Sequence, residues 1–228
     1  MLPKAKSSCY TATRTYELIV FDLDGVVIDS VGDIVAAARH TLQHVGSQDR
    51  DFAFIRDCIG GGARNLLLRC LDGDRQDRID EALKIFKSHY EQNCTNLTVL
   101  YPGVLDILAY YAGRKKLALA TFKIRSATLK ILTELKALRY FDVIVTADDV
   151  QRPKPDPECV NTILETLRCS RHGTILVGDT QTDILTAKNA GIATCAVSYG
   201  IGTLEELKAC EPDFIVGNIL ELKEIVAV

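Results

Sequence analysis

Two aspartates, Asp22 and Asp24, follow the apolar run Leu18-Ile19-Val20-Phe21 and precede Gly25. Residues two apart on an extended segment share a face, so both carboxylates aim the same way. Such close like charges repel unless a cation or a shared proton intervenes. A hard, oxygen-seeking ion such as Mg2+ meets that need. Gly25 allows a sharp turn or close approach of the backbone to a ligand. Further along, Thr121 closes a second apolar run, with Lys123 beyond it, and Gly178-Asp179-Thr180-Gln181-Thr182-Asp183 closes a third. Asp179 and Asp183, four apart at a strand-to-helix turn, can face one point. In Arg152-Pro153-Lys154-Pro155-Asp156-Pro157 the prolines predict an extended, stiff segment that presents Lys154 just before a helix. Carboxylates for a cation, a hydroxyl and a rigid lysine for an anion together suit phosphate chemistry.

These groups need a frame. Four apolar residues in a row read as a strand buried on both faces. Short apolar strands recur at 117–120, 143–145, 175–177, 193–197 and 214–216, separated by helical stretches near 104–112, 125–137, 157–168 and 182–190. Alternating strand and helix predicts an α/β fold, a Rossmann-like parallel sheet with helices on both faces. In such sheets the active site lies outside the carboxyl ends of the strands, where the polar residues above fall. From Asp33 to Asn93 the pattern is helical, with Ile34, Val35, Ala38, Leu42 and Val45 at helical spacing and further helices at 63–71 and 77–90. The predicted core is 1–30 plus 98–228, and 31–97 an inserted helical domain.

Composition narrows the function classes. At 228 residues, 47% hydrophobic and 25% charged, the chain suits a globular enzyme. A net charge of −3 gives no reason to expect nucleic acid as a partner. An anionic substrate must therefore be attracted locally. No apolar run approaches the roughly 18 residues of a membrane span. The start, Met1 to Tyr16, lacks acidic residues and carries Lys4, Lys6 and Arg14. It is either faintly transit-peptide-like or a loosely attached tail. Eight cysteines are scattered without a CxxC, which favours reduced thiols in a cytoplasmic protein over a disulfide framework. His40 and His44, four apart on a helix, read as structural.

The ordered set DxDG, Thr, Lys and GDxxxD at successive strand ends resembles the haloacid dehalogenase (HAD) superfamily over nearly the whole chain. Within it the chain is similar to phosphoglycolate phosphatases, through Ile59-Gly60-Gly61-Gly62-Ala63-Arg64-Asn65-Leu66-Leu67, Ala147-Asp148-Asp149-Val150, Val197-Ser198-Tyr199-Gly200 and Glu211-Pro212-Asp213. The resemblance implies a HAD core with a helical cap, and a phosphatase acting on a small phosphorylated metabolite. Asp22 would be the nucleophile and Asp24 the general acid/base. Mg2+ would be held by Asp22, the backbone carbonyl of Asp24 and Asp179, with Asp183 reaching it directly or through water. Thr121 and Lys154 would grip the phosphoryl oxygens, with donors near Gly25 and Phe122. Many relatives carry Asn where this chain has Phe122, which would pack under the cap or shape the leaving-group pocket. Arg64, beside the three glycines, is a candidate for binding a substrate carboxylate or a solvated first-turn arginine. The expected form is a monomer or homodimer. The competing expectations are a phosphoglucomutase-type phosphotransfer and a non-catalytic binding module. Dehalogenation is disfavoured because Asp24 is the acid/base that a phosphatase needs.

Overall fold

The computed structural model describes residues 15–228; the expectation drawn from Met1–Tyr16 lies almost wholly outside them. The chain opens with β1 (Leu18–Phe21) and β2 (Ile28–Asp29), then the helices α1 (Val31–His44), α2 (Phe52–Asp57), α3 (Gly62–Cys70) and α4 (Ile79–Asn93). There follow β3 (Val99–Leu100), α5 (Val104–Tyr111), β4 (Lys116–Ala120), α6 (Arg125–Glu134), β5 (Val143–Val145) and α7 (Glu158–Leu167). The last elements are β6 (Thr174–Gly178), α8 (Gln181–Ala190), β7 (Ala193–Val197), α9 (Leu204–Ala209), β8 (Phe214–Val216) and α10 (Leu222–Ile225).

Six strands form one sheet in the order β5-β4-β1-β6-β7-β8, and every pair in it is parallel. The α/β prediction therefore holds. The side-chain period of two divides each strand between two layers. Ile19, Phe21, Leu117, Leu119, Ile175 and Val177 enter one core with Ile107, Leu108 and Ile131 of α5 and α6. Leu18, Val20, Ala118, Ala120 and Leu176 enter the other with Val160 and Ile163 of α7. β1 is thus sealed on both faces, and its polar residues begin where the sheet ends. Strand order reverses beside β1, the position at which parallel sheets open a crevice for ligands.

The helical block stands between two short strands. β2 and β3 pair antiparallel, Ile28 with Leu100 and Asp29 with Val99. Two residues per strand are too few for a periodic signal, so the sequence did not disclose this ribbon. Nor did it single out α2, whose Phe52 and Phe54 are exposed; Asp51 caps it by accepting from the Phe54 amide at 2.8 Å. Within the block α1 packs on α4. Buried Asp33 of α1 accepts from the amides of Leu97 and Thr98 and from the Thr98 hydroxyl at 2.7–3.1 Å, tying the returning chain to the outgoing helix.

Candidate active site

Three strand ends and one turn build the site. After β1, Asp22 continues along the strand, its amide donating to Val177 O at 2.9 Å. After β6, Asp179 and Asp183 flank the start of α8. Thr180 and Asp183 form a reciprocal cap there, with the Thr180 hydroxyl donating to Asp183 Oδ2 at 2.6 Å and the Thr180 amide to the same oxygen at 3.1 Å. This cap fixes one Asp183 oxygen and leaves Oδ1 facing the site. Ligand atoms of Asp22, Asp179 and Asp183 lie within 4.8 Å of one another.

Lys154 completes the cluster. Its ammonium donates to Asp22 Oδ1 at 2.9 Å, to Asp183 Oδ1 at 2.8 Å and to Ala120 O at 2.8 Å. The segment carrying it is not extended, as its prolines predicted, but a turn closed by the Asp156 amide on Pro153 O at 2.9 Å. The turn is what aims the side chain inward. Burial alone would lower the proton affinity of Lys154, but Asp183 and Asp22 outweigh it and hold the ammonium charged.

The electrostatics are those of a cation site. Burial is the main force raising Asp22 to about 7, against the attraction of Lys154, with Asp183 and Asp24 adding repulsion. Asp179 is raised well above the usual carboxylate range, by burial first and then by Asp183 and Asp22. One Asp179 oxygen accepts from the Ile201 amide at 2.7 Å; the other, Oδ1, is buried without a partner. Buried acceptors are rarely left so. The space is also guarded. A Cβ on Gly25, which sits at φ +87°, would stand 1.8 Å from Asp179 Oδ2. Three carboxylates around an orphaned oxygen, with no nitrogen or sulfur donor among them, fit a hard divalent cation.

Asp24 behaves differently. Its carboxylate turns from the triad to the Lys123 ammonium at 3.1 Å and accepts from the Ser30 hydroxyl. Lys123 also donates to the Tyr90 hydroxyl of α4 at 2.5 Å. Burial would lower the Lys123 pKa, but Asp24 and Tyr90 more than offset it and it is raised. Burial pushes Tyr90 up to about 12, so it stays a neutral phenol. The sequence flagged Lys123 only as lying beyond Thr121, and Tyr90 not at all, since nothing in spacing links positions 33 apart.

A cavity of about 80 Å3 lies over the triad, lined by Asp22, Thr121, Lys154 and Asp179 and by Ile59, Gly60 and Gly61 from the helical block. The side chain of Asp22 keeps 13% of its surface exposed. Beside it, on the Asp24 side, a second cavity of about 100 Å3 is lined largely by Ile34, Ile59, Leu66, Phe86 and Phe122, with Lys87 and Lys123. Phe122 lines both cavities, and its Cβ lies 4.0 Å from where a Cβ on Gly62 would stand, so it packs beneath the glycine loop. Thr121 is buried and its hydroxyl accepts from the Lys123 amide at 3.1 Å. The structure does not bring Arg64 to this cluster. Its guanidinium pairs with Asp80 at 2.7 Å, and both side chains are largely exposed.

Fold and site together define a hydrolase of the haloacid dehalogenase type. The sequence model for haloacid dehalogenase-like hydrolases matches residues 19–197, and the chain belongs to that family. Its relatives include a phosphoglycolate phosphatase of Vibrio cholerae, 33% identical over 94% of this chain and 99% of that protein. The pyrophosphatase PpaX of Halalkalibacterium halodurans is 32% identical over 92% of this chain and 96% of its own. Among solved structures, a predicted phosphoglycolate phosphatase from Haemophilus somnus superposes with a TM-score of 0.84 at 26% identity, covering 92% of this chain and 97% of that one. The chain is most like phosphoglycolate phosphatases, which are phosphoric monoester hydrolases.

Proposed function

We propose that the protein is a Mg2+-dependent phosphatase that hydrolyses a small phosphomonoester, 2-phosphoglycolate, through an aspartyl-phosphate on Asp22. The observation that carries this reading is the meeting of Asp22, Asp179, Asp183 and Lys154 under one small cavity, with the Asp22 carboxylate open to it. Asp22 attacks phosphorus. The bond from phosphorus to the leaving oxygen breaks, its electron pair stays on that oxygen, and a proton passes to it from Asp24. Water then attacks the phosphorus, Asp24 takes its proton, and Asp22 is released. Lys154 and Thr121 hold the phosphoryl oxygens as charge shifts among them, with backbone amides near Gly25 and Phe122 as further donors. Asp22, Asp179, Asp183 and the Asp24 carbonyl would hold the Mg2+, which when bound would supply charge neutralisation for the phosphate. The block 31–97 serves as the cap that excludes water. The seven described cysteines are all free, which supports a reducing compartment such as the cytoplasm.

The apolar cavity beside Asp24 favours a carbon-bearing leaving group over the inorganic phosphate that pyrophosphate would release. Assaying 2-phosphoglycolate, sugar phosphates, pyrophosphate and p-nitrophenyl phosphate with Mg2+ tests the substrate: the highest kcat/KM is expected for 2-phosphoglycolate. Asp22→Asn should abolish turnover of all of them while the protein stays folded. Normal hydrolysis by a folded Asp22→Asn protein, verified free of deamidation, would overturn the mechanism.

A further inference from the structure

Among the described residues, one polar relay, through Lys123, ties the Asp24 carboxylate to the helical block beyond its own hinge. Lys123, on the loop after β4, has a side chain only 5% exposed. Its ammonium lies between Asp24 Oδ1 at 3.1 Å and the Tyr90 hydroxyl at 2.5 Å, 4.4 Å from the Tyr90 ring centroid. Tyr90 is itself buried on α4 and stacked on Phe86, centroids 5.6 Å apart and planes 8° apart. A lysine this deep is costly unless paired and hydrogen-bonded. Its two partners come from opposite sides: Asp24 from the sheet domain and Tyr90 from the helical block. A displacement of α4 would therefore strip Lys123 of one partner and free it to pull the Asp24 carboxylate with it.

We propose that Tyr90 and Lys123 act as a latch that couples docking of the helical block to the placement of the Asp24 carboxyl, making both positioning residues for proton transfer to the leaving group. The inference rests on Asp24 as general acid, and goes beyond it by assigning what aims that acid and when. Without Lys123 the Asp24 carboxylate, 20% exposed, would keep the Ser30 hydroxyl of the hinge as its partner and have room to adopt other rotamers. The ammonium, fixed from above by the phenol, removes them. Docking thus readies the acid only when the site is covered.

The leaving group's basicity supplies the test. A nitrophenolate departs with little need of a proton, whereas an alkoxide needs one in the transition state. kcat/KM reports the steps through departure of the leaving group, so it is compared for 2-phosphoglycolate and p-nitrophenyl phosphate. Tyr90→Phe keeps the ring and deletes only the hydroxyl. It should lower the ratio of the alkyl to the aryl value about tenfold, the worth of one hydrogen bond to a charged group. Lys123→Met should lower the ratio further, and Lys123→Arg should restore part of it. Equal losses on both esters, or an unchanged ratio in Tyr90→Phe, would overturn the latch. Asp24→Asn separates the two claims. If it leaves the alkyl ester's kcat/KM intact, the acid assignment itself fails. If it collapses that value while Tyr90→Phe does not move the ratio, only the latch fails.

Discussion

At the scale of single residues, the site is a contest between burial and charge. Asp22 rises from 3.8 to about 7, chiefly through burial, so without a cation the folded state holds a proton there that the unfolded chain releases. A raised carboxyl pKa makes the folded form bind more protons between those two values, and stability contributed by this group falls as pH rises through that window. A bound cation reverses the cost by displacing the proton, so cation affinity grows with pH and levels off above about 7. Excess Mg2+ should therefore raise Tm more at about pH 8 than at about pH 5.5, and Asp179→Ala should abolish most of the gain at either pH. A gain that is independent of pH, or intact in Asp179→Ala, would show that the ion binds elsewhere. The spacing of two predicted that Asp22 and Asp24 share a strand face and aim the same way, but β1 stops at Phe21 and the two carboxylates diverge. Asp22 faces the triad through its link to Lys154, and Asp24 is drawn aside by Lys123 and Ser30.

At the scale of elements, each part of the site is held by an ordinary device of secondary structure. The reciprocal cap at the start of α8 orients Asp183, and the turn at 153–156 orients Lys154. The entry to the helical block is held by Asp33, which alone satisfies the amides of Leu97 and Thr98 and the Thr98 hydroxyl. Asp33→Ala should leave the buried amide and hydroxyl of Thr98 unpaired, at about 1–3 kcal/mol for an unsatisfied group. Because the contact lies outside the cluster of Asp22, Asp179, Asp183 and Lys154, urea unfolding should register the loss first, while Asp33→Asn, which keeps an acceptor, should lose less. Equal stability of Asp33→Ala and wild type would mean the loop 94–98 is held by other contacts. Strands and most helices were readable because apolar periodicity extends over enough residues to be counted. β2 and β3 were not, because their pairing is set by chain reversal around a distant helical block.

At the scale of the whole molecule, the helical block and the sheet domain both line the cavities over Asp22 and beside Asp24, so on the proposed function the block's side chains would meet the leaving group. Two cations of the block compete for the role of carboxylate partner. Arg64 already pairs with Asp80. Lys87, three residues before Tyr90 on α4, lines the cavity beside Asp24 and makes no ion pair among the described residues. Lys87 is therefore expected to meet the substrate's carboxylate. Being exposed, it contributes about 1 kcal/mol, so Lys87→Ala should lower kcat/KM for 2-phosphoglycolate roughly fivefold relative to p-nitrophenyl phosphate. Arg64→Ala should change that ratio less; a larger effect at Arg64 would show that its pair with Asp80 opens on binding. The parallel α/β frame and the strand ends that carry Asp22, Asp24, Thr121 and Asp179 were legible in the sequence, because they follow from local periodicity and from where apolar runs stop; Asp183 followed from its spacing of four from Asp179, and Lys154 only from the ordered motif set and its resemblance to the HAD superfamily. That Asp24 answers to Lys123 and Tyr90, that Phe122 packs beneath the glycine loop, and that Arg64 pairs with Asp80 emerged with the three-dimensional packing. Contacts between elements depend on the angle and depth at which helices settle on a sheet, and many burial patterns consistent with one sequence periodicity would place those side chains differently.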